Sequence, residues 1–378
     1  MLYIRYTNPP SHIVSDTVTV CPAIIDAGRE PVEELAYSRL PEDDKATTPV
    51  IIRRPKRVTL SDEEATRRRP PGVIDLALCN SRSPGDVVAM TAVVRELHRN
   101  YPGRYRVVTQ TWFPELWENN PGVVPESEIV QPKRIDWDWK GTAEIDRRCS
   151  FAQLWRNDLA KHLGVSIPMG EDRGAIYLSE AEKCWPSHLL GPVVRPFAIV
   201  NAGTKADTPT KAWGKSNYQS VIDHFQGKIE FVQIGAAEHN HLPLNGVLNL
   251  VGKTGVRDLC RLVYWSRLVL CPVTFVMHLS AAILLADDRV RPCIVLAGGR
   301  ESQTFTQYDG HVQFNTVGML PCCARDGCWR SQFPPSPCGE MHICQQPAQL
   351  ASGETVGQCM KIIDPSRVID AISDRFAM

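Results

Sequence analysis

The strongest constraint on this chain is an alternation that restarts near residue 194. An apolar run, "PFAIVNAGT", is followed by "YQSVIDHFQG", with helical spacing, then by "IEFVQIGA", "LNLVG", "GVRDLCRLVYWS", "RLVLCP", "FVMHLSAAILLA" and "PCIVLAGG". Strands separated by helices cannot pair as tight hairpins, so the pattern predicts a parallel sheet with helices on both faces. An earlier instance is "GVIDLALCNSRSPGDVVAMTAVVRELHRNYPGRYRVVTQT". It reads as a strand over Val73 to Cys79, a loop with Pro84 and Gly85, a helix and a strand over Tyr105 to Thr109. The helix has an apolar stripe of Val87, Val88, Met90, Val93, Val94 and Leu97. Two starts in 378 residues imply two doubly wound, Rossmann-like lobes facing a cleft, over residues 72–193 and 194–320.

The rest of the chain is less regular. Residues 1–71 mix short β-like pieces with charged and Pro-rich connectors ending in "RRRPP", and read as a β-containing extension. Residues 321–360 are cysteine-rich, and "DPSRVIDAISDRF" predicts a last helix within 361–378 that crosses back over the fold. A formal charge of +0 supplies no global field for nucleic acid. The apolar stretch "RLVLCPVTFVMHLSAAILLA" is interrupted by Pro272 and polar residues, so no membrane span is expected. The start, "MLYIRYTNPPSHIVSD", lacks the pattern of a secretory leader, and a cytoplasmic location is expected.

In a parallel sheet, ligands bind beyond the carboxyl ends of the strands, where helix N-termini favour anions. Three loops have that placement: "SRSPGDVV", "NAGTKADTPTKAW" and "CPVTFVMHLSAA". Asp86 stands where the first becomes a helix, as a general base or simply as a capping carboxylate. Lys211 suits a diphosphate, although a solvated lysine fits equally. Thr274 and His278 open a later helix and suit phosphate or sugar oxygens, or a structural histidine. Neither "GxxxxGK[ST]" nor "GxGxxG" is present, which argues against a P-loop ATPase or a simple dinucleotide enzyme.

In order, "SPGDVVAMTAVVRELHRNYP", "NAGTKADTPTKAWGKSNYQSVIDHF", "NLVGKTGVRDLCRLVYWSRLVLCPVTFVMHLSAAI" and "IVLAGGRESQTFTQYD" resemble successive motifs of the ADP-heptose type heptosyltransferases of glycosyltransferase family 9. The resemblance covers about residues 72 to 320. It implies a GT-B fold and an inverting transfer, without a divalent metal, of heptose or a related sugar from a nucleoside-diphosphate sugar such as ADP-heptose. The acceptor would be a glycan, such as lipopolysaccharide core, or a protein hydroxyl. By position, Asp86 matches the catalytic base, Lys211 the lysine on the donor phosphates, and Thr204, Thr274, Met277 and His278 the donor-binding loops. One departure is clear: where the family reads "DTGxMHLAAA", this chain has "VTFVMHLSAA", with Val273 for an aspartate and Phe275 for a glycine. A catalytically degenerate GT-B scaffold that binds a glycan or protein partner is the alternative.

The segment "CCARDGCWRSQFPPSPCGEMHICQQPAQLASGETVGQCM" is poor in core-forming residues. Disulfides are disfavoured in a reducing compartment, whereas four thiolates around zinc or iron would supply the missing cross-links. The spacing is irregular and contains no CxxC pair. The segment resembles the cysteine-rich insertion of some family 9 members, including autotransporter heptosyltransferases that bind iron through four cysteines. That resemblance implies a structural metal on Cys323, Cys328, Cys344 and Cys359, with Cys322 and Cys338 as alternates, and it allows a homo-oligomer.

Overall fold

A computed structural model describes residues 72–138, 148–191, 193, 196–285, 289–335 and 340–376. The extension expected over residues 1–71 and the alternate ligand Cys338 lie outside the described residues.

The first lobe holds β1 (Ile74–Asn80), α1 (Pro84–Asn100), β2 (Tyr105–Thr111), β3 (Lys133–Asp136) and α2 (Phe151–Leu163). Its sheet is parallel, in the order β2-β1-β3. Pro84 takes the first helical position of α1, where a missing N–H costs nothing. The expected stripe from Val87 to Leu97 is wholly buried. Helix α2 starts at a reciprocal cap, in which Ser150 N–H donates to Gln153 Oε1 (3.1 Å) and Gln153 N–H to Ser150 Oγ (3.2 Å). It ends at Gly164, whose φ of +66° is left-handed. Trp137 locks α2 to the end of β3, its Nε1 donating to Trp155 O at 2.9 Å while the two rings meet edge to face.

The second lobe runs through β4 (Phe197–Val200), α3 (Lys215–His224), β5 (Glu230–Gln233), β6 (Val247–Asn249), α4 (Val256–Trp265), β7 (Leu268–Pro272), α5 (Phe275–Ala282), β8 (Cys293–Gly298) and β9 (His311–Asn315). All neighbours are parallel, in the order β6-β5-β4-β7-β8-β9. This is the order of a dinucleotide-binding Rossmann sheet. Strands β4, β7 and β8 are buried on both faces, which explains their unbroken apolar runs. Strand β9, "HVQFN", was not expected, because an edge strand of mixed polarity carries no such run. After β9 a small antiparallel pair, β10 (Pro347–Gln349) and β11 (Thr355–Gly357), leads to α6 (Pro365–Phe376). Helix α6 was expected to cross back; instead it packs against α3 and β8 of this lobe through buried Val368 and Ile372.

One fully buried cation shapes the site's scaffold. Arg291, just before β8, donates from Nε to Ser266 O (2.5 Å), from one terminal nitrogen to Ile283 O (3.0 Å) and from the other to Tyr264 O (2.7 Å). These carbonyls close the C-terminal ends of α4 and α5, which carry partial negative charge, so one guanidinium caps two helices. The lobes meet where α1 packs on α5 and where Arg257 of α4 forms a two-pronged pair with Glu182 (both contacts 2.6 Å). Arg291→Leu strands two buried carbonyls and one partly buried one and is expected to lower unfolding free energy by about 3 kcal/mol, measured by urea denaturation.

Candidate functional site

Ligands in parallel sheets sit where neighbouring strands send their connections to opposite sides. In the second lobe that point lies between β4 and β7, and Lys211 stands there. It ends a turn over Pro209–Lys211 in the loop after β4, and its Nζ donates to Val273 O (3.0 Å), just past β7, and pairs with Glu301 Oε1 (3.0 Å), just past β8. One ammonium thus ties together the loops that leave three adjacent strands. Arg300 also pairs with the Glu301 carboxylate.

These charges lie in a desolvated place: Glu301 is 5% exposed, and the Lys211 side chain retains 18%. Burial lowers the Lys211 pKa, with Glu301 opposing that shift. Burial alone would raise the Glu301 carboxyl, but the Lys211 and Arg300 charges hold it below its ordinary value. His278, in the first turn of α5, is held down to about 4 by burial and by the Lys211 charge. It is therefore neutral at pH 7, with Nδ1 2.7 Å from the Tyr308 hydroxyl. Its ring also meets Phe151 at the start of α2, 5.3 Å between centroids, so a residue of the first lobe helps wall the site.

Asp86 lies in the other lobe, in the first turn of α1. A Cβ added to Gly85 would lie 3.1 Å from His278 Cδ2, so the N-termini of α1 and α5 abut. The Asp86 carboxylate is buried and accepts from Ser83 N–H (3.2 Å) and Ser83 Oγ (2.6 Å), the capping role weighed above against that of a base. Lys211 and His278 are thus brought together, and Asp86 is the chain neighbour of Gly85, which touches His278. Thr274 is the residue before α5, its carbonyl accepting from Met277 N–H at 3.1 Å. Met277 itself points into the core and is fully buried. Thr204 bridges Asn240, its carbonyl accepting from Asn240 N–H at 2.9 Å. Sequence reasoning missed Arg300, Glu301 and Tyr308; an acidic residue immediately behind the strand "IVLAGG" was the available signal.

In the first lobe, a cleft of about 340 Å³ opens at the carboxyl ends of β1, β2 and β3. Trp112, 72% exposed, stands on one side, and Asn80, Gln110 and Arg134 contribute polar groups. Arg82, paired with Asp138, lines this cleft four residues before Asp86.

Five thiols, Cys322, Cys323, Cys328, Cys344 and Cys359, line one small cavity. Among the described residues, no three His, Cys, Asp or Glu side chains are drawn together into a formed metal site, and no disulfide joins the described cysteines. Two glycines make room for the sulfurs: a Cβ on Gly299 would lie 2.8 Å from Cys323 Sγ, and one on Gly357 3.2 Å from Cys359 Sγ. Burial, then the neighbouring thiols, raises Cys322 to about 11; burial likewise raises Cys359 to about 11. Soft sulfur donors suit iron or zinc, so the donor set, though not drawn together, has the chemistry for such an ion.

The cysteine-rich segment also grips the loop that carries Lys211. Thr210 N–H and Oγ1 donate to Ser331 O (3.4 Å) and Arg330 O (2.9 Å), and Gln332 Nε2 donates to Asp207 O (2.7 Å). Glu354 accepts from the first N–H groups of α3, those of Lys215 (2.6 Å) and Ser216 (3.0 Å).

No family model and no curated protein matches the chain. Solved structures do. The ADP-heptose lipopolysaccharide heptosyltransferase II of E. coli is 15% identical, with a TM-score of 0.53 over 80% of this chain and 98% of that one. A family 9 glycosyltransferase from Veillonella parvula is 14% identical, with a TM-score of 0.52 over 80% and 96%. The dodecameric, iron-containing heptosyltransferase TibC of enterotoxigenic E. coli, in its complex with ADP-D-β-D-heptose, is 13% identical, with a TM-score of 0.56 over 81% and 76%. The chain has the fold of these heptosyltransferases, as its motifs led us to expect.

His278 and His311 are both buried, and burial holds His311 down to about 3. Unfolded histidine titrates near 6.5, so the unfolded chain takes up protons first. Stability present at pH 7 is therefore lost as pH falls from about 6.5 toward 4. His311→Phe removes a ring whose two nitrogens have no partner among the described residues. It is expected to flatten that loss by up to about 1.4 kcal/mol per pH unit, read from urea midpoints between pH 7 and pH 4.

Proposed function

We propose that this chain is an inverting glycosyltransferase that moves heptose or a close relative from a nucleoside-diphosphate sugar to a hydroxyl of a glycan or protein. The observation that carries this reading is the ammonium of Lys211 at the switch point of the second sheet, beside an α5 N-terminus that abuts that of α1. The TibC complex with ADP-D-β-D-heptose, on the same fold, supports it.

In this reading Lys211 and the free N–H groups at the start of α5 stabilise the diphosphate charge that develops as the glycosidic bond breaks. Asp86 exchanges its bond with Ser83 Oγ for one with the acceptor hydroxyl. It then takes that proton as the hydroxyl oxygen attacks the anomeric carbon opposite the leaving group. The neutral imidazole of His278 adds no competing charge and offers a hydrogen bond. The cleft beside Trp112 receives the acceptor, and contact between the lobes excludes water. Asp86→Ala is expected to fold normally and lose at least about 100-fold in transfer from ADP-heptose, followed by release of ADP. Undiminished transfer would remove Asp86 as the base. A binding scaffold without catalysis is the second reading, favoured by Val273 in place of an aspartate; detection of any sugar transfer excludes it.

The proposal extends to a structural iron or zinc held by Cys323, Cys328, Cys344 and Cys359, with Cys322 adjacent, and to a cytoplasmic protein that assembles with copies of itself, as TibC does. When bound, the ion supplies cross-links to a segment with little core of its own. Elemental analysis of the purified chain is expected to find iron or zinc, and Cys344→Ser to lose it along with thermal stability; metal-free, fully stable protein would refute the assignment.

A further inference from the structure

We propose that Glu301 reads the sugar of the donor, holding Lys211 with one carboxylate oxygen and accepting a donor-sugar hydroxyl with the other. This rests on the transferase reading above.

Glu301 Oε1 takes the Lys211 ammonium at 3.0 Å and is also the atom paired with Arg300. Oε2 is buried and has no hydrogen-bond partner among the described residues. A carboxylate oxygen withdrawn from water without a donor is costly, and native proteins rarely leave one so. Its place identifies the missing group. It lies just past β8, beside Lys211 and next to the segment that leaves β7, and Lys211 keeps some exposure.

The partner must bring a proton, since an ionised carboxylate only accepts. A diphosphate has only acceptor oxygens to offer and would be repelled; a sugar hydroxyl donates. Position 273 cannot serve, because Val273 gives Lys211 only its carbonyl while its side chain packs in the core. The carboxylate missing at the end of β7 is thus supplied from the end of the neighbouring strand β8. Reaching from there, it acts on the sugar while Lys211 faces the phosphates.

The two duties separate experimentally. Affinities of the full-length chain for ADP and for ADP-D-β-D-heptose are measured by calorimetry for wild type, Glu301→Gln and Glu301→Asp, with thermal midpoints recorded for each. Wild type is expected to prefer the sugar nucleotide. Glu301→Gln should lose at least tenfold of that preference while ADP binds as tightly or more tightly, since Lys211 is released from its counter-ion. Glu301→Asp keeps the charge on a shorter arm and should retain ADP affinity with a reduced preference, which tests the idea if the Gln variant fails to fold.

A preference unchanged in the variants, or a loss that falls equally on ADP and ADP-heptose, overturns the assignment of Glu301 and leaves the transferase reading standing. Failure of wild type to bind either ligand overturns both.

Discussion

The site depends on a single ammonium that is largely, though not wholly, withdrawn from bulk water. Lys211 is pinned between the carbonyl of Val273 and the carboxylate of Glu301, so the segments that follow β4, β7 and β8 share one charge. A buried cation is tolerated only with such partners, and the partners are fixed in turn by the strands they end. Loops that would otherwise move independently therefore keep one arrangement. His278 answers to the same field: with a cation beside it and little water, its imidazole stays neutral.

Support for this arrangement comes from the far end of the helices. Helix α5 is apolar over nearly its whole surface, and its buried C-terminal carbonyls find their donor in Arg291, which also closes α4. The N-terminus that faces Lys211 is thereby backed by a cation at the opposite end of the same helix. Burial of its apolar surface, with electrostatics at both ends, and not helix propensity, keeps this eight-residue segment in place.

Much of this was legible in the sequence, and for definite reasons. Doubly covered strands such as "FAIV" and "LVLC" cannot hide their apolar composition, and the stripe from Val87 to Leu97 has a period only a helix satisfies. Lys211, Thr274 and His278 could be named because ligand loops in a parallel sheet lie behind its strands. What stayed hidden was set by distance in the fold. The partnership of Lys211 with Glu301 spans 90 positions in the chain and leaves no periodicity. Edge strand β9 is half polar, so no apolar run marked it. Met277 sits in the right motif, yet the helix turns it inward, since spacing from Thr274 says nothing about which face meets the core.

The grip of the cysteine-rich segment on the loop bearing Lys211 makes the two a single thermodynamic unit. Thr210, Gln332 and Glu354 carry backbone contacts across that boundary, so ordering the thiol cavity and ordering the loop are not separate events. Coupling of this kind is reciprocal. A displacement of residues 330–332 is therefore felt at Thr210, the immediate neighbour of Lys211.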